Sequence, residues 1–277
     1  MSGQFHAKPR RWGALSFTVL LIFVAGCAQD EPPAAPPTQI ENRQLEKIAR
    51  DYKIEIVARD PAFPVKTRHG PIDGKMVAGT ELEKYIGLFS TEFTLYPPEL
   101  MQRSQLKRVV ICTDLSFDGQ RRNAIPDFEH DTLYLDASRG TFDKTYLRKV
   151  IHHEFFHIID YRDDGKVYQD DRWAELNPGD FRYGRGGHAV QNMAQTSVLT
   201  DKYPGFLNHY STTGVEEDKA ELFANLIVDP AYVERRTTSD RVIHAKVDCM
   251  RELLARFCPE LNDKFWEKVR QTKRVDT

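Results

Sequence analysis

The chain has no apolar run long enough to cross a bilayer comfortably. Its longest, Ala14 to Ala25, is shorter than the roughly 20 residues a spanning helix needs. Cysteine is scarce too, with four in 277 residues. Cys27, Cys112, Cys249 and Cys258 have no spacing that suits a thiolate metal site. No basic cluster is interleaved with aromatics, and the formal charge is −2, so a nucleic-acid partner is not expected. No internal repeat is visible, which argues against a solenoid. Asp163, Asp164, Asp170 and Asp171 are dense but lack EF-hand order, so they read as solvated rather than as a calcium site.

What is present is His153-Glu154-Phe155-Phe156-His157, a match to HExxH. Two histidines at i and i+4 project from one helix face, so both imidazoles can reach one ion. Glu154 is offset by one helical step, beside the ion rather than on it. That suits a water at the open position of a zinc ion and a carboxylate that takes its proton. Thr145 to Ile151 continues the helical pattern into the motif. Leu147, Ile151 and Ile158 lie on one side, toward a core. Tyr146, Val150, His153 and His157 lie on another, toward a cleft.

The N-terminal segment reads as an address. Lys8, Arg10 and Arg11 precede the apolar run, and Val24-Ala25-Gly26-Cys27 ends it. This ending resembles the bacterial lipobox. The resemblance implies cleavage before Cys27 and lipidation of that residue. Several acyl chains would then hold the protein on a membrane, at about 0.8 kcal/mol per buried methylene. Residues 1–26 are thus expected to be a signal peptide, and 27–40 a tether. Four prolines between Ala28 and Gln39 keep the tether extended. Residues 41–277 are expected to be one domain. Cleavage removes three cations and no acids, taking the charge from −2 to −5. The expected location is the bacterial cell envelope. Ala28 stands where an Asp would retain the protein at the inner membrane, so the outer membrane is favoured. The oxidising envelope allows a disulfide. With Cys27 lipidated, an odd count leaves at least one free thiol.

Helices are expected at 41–52, 81–93, from Pro97-Pro98, and at 143–161, 216–228, 241–257 and 260–271. Strands are expected at 53–57, 108–113 and 131–136. The 119–130 stretch reads as turn-rich, and 163–187 as a loop. Strands first and helices later is an α+β order. Strand 131–136 is the candidate sheet edge on which an extended substrate could pair. Trp173, Asn177, Pro178, Phe181, Tyr183 and Gly184 to Gly187 form a long irregular segment. It could cover substrate or simply pack.

Two histidines hold zinc poorly, and a catalytic site wants a third protein ligand. Asp163 would need a sharp turn after the motif, where Asp160 stands instead of Gly. His188 is a lone loop histidine. Glu217 and Glu221 are at i and i+4 on a helix, so one could bind the ion while the other orients a histidine. An acidic helix N-terminus would also explain Glu216, Glu217 and Asp218, though not Glu221.

Here the chain resembles the gluzincins, HExxH peptidases with a downstream glutamate ligand. It is similar to the catalytic domain of anthrax lethal factor and to bacterial lipoproteins described as zinc-binding metallopeptidases. In that pattern a tyrosine stands seven residues before the ligand glutamate, and another glutamate four after it. Tyr210, Glu217 and Glu221 keep both intervals. The resemblance covers 143–161 and 210–225. It implies a zincin-like fold, a small mixed sheet packed on the motif helix with a mostly helical C-terminal part. It implies one Zn²⁺ held by His153, His157 and Glu217, with Glu154 and Tyr210 catalytic and Glu221 orienting a histidine. The gap between the two halves is longer here, and Phe156 stands where a Gly is common. The expected function is a membrane-tethered zinc peptidase, monomeric, with peptide or protein substrates. The alternative is a peptidase-like surface lipoprotein that binds peptide or glycan with little turnover.

Overall fold

Leu45, Ile48 and Tyr52 recur at helical spacing and bury one stripe of α1 (Gln39–Tyr52) in the computed structural model, which describes residues 39–141, 143–190 and 195–274. Strand β1 (Glu55–Val57) follows, then β2 (Val65–Thr67) and β3 (Gly70–Lys75). Next come α2 (Gly79–Phe93) and α3 (Pro98–Ser104), the latter with proline at its first turn. The predicted stripe Leu82, Tyr85, Ile86 and Phe89 is buried on α2. Four strands come next: β4 (Arg108–Phe117), β5 (Gln120–Arg121), β6 (Ala124–Asp127) and β7 (Thr132–Asp136). The rest is helical: α4 (Lys144–Asp164), α5 (Asp171–Ala174), α6 (Val215–Val228), α7 (Pro230–Ser239), α8 (Arg241–Phe257) and α9 (Asp263–Gln271). The chain is thus mixed α/β, in the predicted order of strands before the main helices. No helix among the described residues is long and apolar enough to cross a membrane.

The mixed sheet runs β2-β3-β4-β7-β6, with β1 and β5 also on β4. Strands β4 and β7 pair in parallel, Val109 against Leu133 and Ile111 against Leu135. Strand side chains alternate between faces, so these four point to one side, into the main core with the helices. Val110, Cys112 and Tyr134 point to the other, into a smaller cluster with Ile72 and Ile125. Both faces are covered, which is why every residue of β7 is buried.

Strand β7 is therefore not the sheet edge. It lies between β4 and β6, and β6 is the edge. The error arose because β6 carries Pro126 in a polar context and reads as a turn. Strand β4 runs past its predicted end at Thr113 through Asp114, a non-glycine residue at φ 53. The ladder to β3 shifts register there, which absorbs the break. Helix α1 begins two residues before the predicted domain start. Helix α7 was not predicted; Pro230 opens it and the Asp229 carboxylate accepts from Tyr232 N. Cys249 lies within α8 and Cys258 just past its end. Cys112, Cys249 and Cys258 are all buried free thiols. Residues 1–38, with Cys27 and the expected leader and nearly all the tether, lie outside the described residues.

Candidate metal centre

Helix α4 is fixed at both ends. The Asp143 carboxylate accepts from Tyr146 N at its start. Gly165 closes it at φ 77, a left-handed conformation that glycine adopts without strain. The predicted core face holds, with Leu147, Ile151 and Ile158 buried. Phe156, the departure from the gluzincin pattern, is fully buried, its ring centroid 5.0 Å from that of Phe223 on α6. Burying one such ring contributes about 1.5–3 kcal/mol. The pair clamps together the two helices that carry the site.

At that junction His153 Nε2 lies 3.0 Å from Glu217 Oε2, and His157 Nε2 lies 3.7 Å from the same oxygen. Ligand atoms of all three residues lie within 4.8 Å of one another, and all three are buried. A tetrahedral centre with bonds of 2.0–2.1 Å holds its ligands about 3.4 Å apart. The two contacts straddle that spacing. Two imidazoles and a carboxylate are also a zinc donor set, so the residues fit the ion.

The other sides of the site are built from neighbours. His153 Nδ1 stands 3.1 Å from Glu221 Oε1, off the line of a good hydrogen bond. Asn208 Nδ2 donates to Glu221 Oε2 at 2.6 Å, while Asn208 Oδ1 accepts from Ser211 N at 2.9 Å. Glu221 is thereby tied to the short Tyr210–Thr212 turn. The Tyr210 hydroxyl donates to Glu217 Oε1 at 3.0 Å. Burial, then the charges of Glu217 and Glu154, push the Tyr210 hydroxyl far up, so it remains a donor. Burial alone would lower His153, but Glu217 and Glu221 outweigh it and raise it. Burial likewise opposes ionisation of Glu217, but His153 and His157 win and hold it well below the carboxylate range. Burial raises Glu154 against the pull of both histidines.

Glu216, Glu217 and Asp218 all lie in the first turn of α6, where they suit the macrodipole, but all three are buried, and Glu217 and Asp218 have specific partners as well. Asp218 accepts from Trp173 Nε1 at 2.8 Å and from the Tyr183 hydroxyl at 2.6 Å, and pairs with Lys246 at 2.7 Å. Lys219 Nζ pairs with Asp160 and Asp170. The 163–187 segment is therefore mostly structural, with Trp173 fully buried. Its Gly184–Gly187 stretch lines the cleft. Asp163 is excluded as a ligand, because α4 continues past Asp160 and Asp163 pairs with Arg256. The His188 side chain lies outside the described residues.

Glu154, His157, Tyr210 and Glu217 line one cleft of about 800 Å³, together with β6 and Arg122. Sequence reading missed Asn208 and the role of Gly187. A Cβ on Gly187 would collide with the Tyr210 hydroxyl and Glu217 Oε1. Gly187→Ala is expected to weaken metal binding about 10–100-fold, as loss of a ligand's supporting contacts does. Zinc retention during chelator dialysis checks this, and parental retention would show that the approach is slack.

The sheet and helices resemble a crystal structure of a "putative zinc-binding metallo-peptidase" from Bacteroides caccae. It is 15% identical, with a TM-score of 0.53 over 85% of this chain and 93% of that one. No curated protein matches the chain. Residues 127–256, which include β6's last residue, both ligand-bearing helices and the Gly184–Gly187 wall of the cleft, match the family described as "Putative zinc-binding metallo-peptidase".

Proposed function

We propose that this chain is a zinc peptidase of gluzincin type on a zincin-like fold, tethered to a bacterial envelope membrane through a lipidated Cys27. One observation carries the catalytic reading. His153, His157 and Glu217 converge on one point, and His157 and Glu217 line a cleft together with Glu154 and the β6 sheet edge. Zinc held there would polarise a scissile carbonyl and acidify a water.

The chain's own residues do the rest. Glu154 takes a proton from the attacking water and later gives it to the leaving nitrogen. The Tyr210 hydroxyl donates to the carbonyl oxygen as it becomes negative. Glu221, held by Asn208, orients His153. The β6 edge aligns the substrate backbone. Asn123 O accepts from Asp136 N, so by alternation Ala124 and Pro126 turn their backbone groups away from β7. Proline's missing N–H then falls on the open side, where it breaks no bond to β7 and leaves the Ala124 N–H and the Ala124 and Pro126 carbonyls to meet a substrate.

Zinc content by elemental analysis, followed by digestion of a broad peptide library, tests the catalytic reading. One zinc and defined cleavage are expected. One zinc without cleavage of any peptide would favour a binding module, and absence of zinc would sink both. Cys27→Ser should move the protein from membranes to the soluble fraction; an unchanged distribution would remove the lipid tether.

A further inference from the structure

The cleft continues beyond the metal centre along α4. Tyr161 follows His157 by four residues, so its ring lies about 6 Å farther along the same helix face. Phe128, in the turn after β6, meets it with ring centroids 4.8 Å apart. Val167 and Tyr168 arrive from the segment behind α4. All four line the cleft that holds Glu154 and Glu217. Phe128 and Tyr161 are half-buried, and Tyr168 is 77% exposed. Aromatic surface gathered in a cleft and left to water marks a binding surface more than a core.

This surface is also built in advance. The Asp127 carboxylate accepts from Glu129 N at 3.0 Å and His130 N at 3.2 Å, and contacts His130 Nδ1 at 2.7 Å. Those bonds fix the turn that presents Phe128. Arg162 lies over the Tyr161 ring, 5.1 Å from its centroid.

The direction of a bound peptide follows from two contacts. Asn123 bonds the Tyr146 hydroxyl near the start of α4, and Phe128 meets Tyr161 near its end. Strand β6 therefore runs in the same sense as α4. A peptide added antiparallel, the commoner and more stable pairing, runs the opposite way. Its N-terminal part then lies toward Phe128 and Tyr161. We infer that Phe128, Tyr161, Val167 and Tyr168 form a subsite for an aromatic or large apolar side chain on the N-terminal side of the cleaved bond. The assignment of sides rests on the peptidase reading; the affinity for such a side chain does not.

Both parts can be tested. Zinc-loaded Glu154→Gln protein, lipid-free from Cys27→Ser, is exposed to a pooled hexapeptide library, and retained peptides are sequenced by mass spectrometry. Enrichment of Phe, Tyr, Leu or Met at one position is expected. Phe128→Ala and the surface change Tyr168→Ser should each reduce that enrichment, together roughly tenfold to hundredfold, with zinc content unchanged. Digestion by the parent should then place the enriched residue before the cut. Retention without bias, no retention, bias that survives both substitutions, or enrichment only after the cut would overturn the subsite. Biased retention with no cleavage by the parent would leave the subsite standing and remove the peptidase.

Discussion

Glu154→Gln is expected to lower peptide hydrolysis by roughly 10²–10⁴-fold while the protein keeps its zinc. The substitution preserves shape and removes the proton acceptor. Glu154 is absent from the group of convergent ligand atoms, so metal affinity has little reason to change. Its carboxyl is raised by burial, against the opposing charges of His153 and His157. The checks are turnover on the best library peptide, zinc content, and the melting midpoint. Parental turnover in a zinc-loaded, folded Gln variant would remove Glu154 from the mechanism. Lost turnover together with lost zinc would make it a structural residue.

The parts of this site differ in how readily a sequence discloses them. His153, Glu154 and His157 are legible because helical geometry alone brings i and i+4 together. Glu217 is 60 residues beyond His157, and its place depended on a spacing shared with Tyr210 and Glu221. Against Asp163 the sequence offers only Asp160, which stands where a turning Gly would be needed. What decides is that α4 runs on unbroken to Gly165, carrying Asp163 to Arg256. Helices with a clear apolar stripe, such as α2, were equally readable. Strand β6 was not. It is four residues long, contains a proline, and is held by pairing to β7 rather than by its own alternation. The burial of Asp218 and Lys219 was hidden for a similar reason. Their partners, Trp173, Tyr183, Lys246, Asp160 and Asp170, are scattered along the chain, and each pairing exists only once the fold has formed.

Glu92→Ala is expected to cost about 3–5 kcal/mol of folding stability, a large part of what a domain has. Glu92 is fully buried on α2, behind the motif helix. The His152 Nε2–H donates to it at 3.0 Å, Arg148 Nε lies 3.1 Å away, and Arg274 donates at 2.9 Å. The Tyr96 hydroxyl donates to His152 Nδ1 at 2.6 Å. Burial lowers His152, so its neutral tautomer satisfies both neighbours. One carboxylate thus joins α2, α4 and the C-terminal segment, directly behind His153. Removing it takes the shared carboxylate away from buried Arg148 and His152 and part-buried Arg274, and Glu92→Gln should fall between parent and Ala. Burial alone would raise the Glu92 carboxyl, but His152 and Arg274 outweigh it and hold it at about 2, below the ordinary 4.5. A depressed carboxyl binds its proton less readily in the folded state than in the unfolded one. Its contribution is therefore complete above pH 4.5 and is lost as pH falls toward 2. The difference corresponds to on the order of 3 kcal/mol. Urea unfolding of parent and Gln variant should accordingly show a gap at pH 7 that narrows steadily below pH 4.5. Equal stabilities at pH 7, or a gap at pH 3 as large as that at pH 7, would mean that the buried cations find other partners and that Glu92 does not anchor the motif helix.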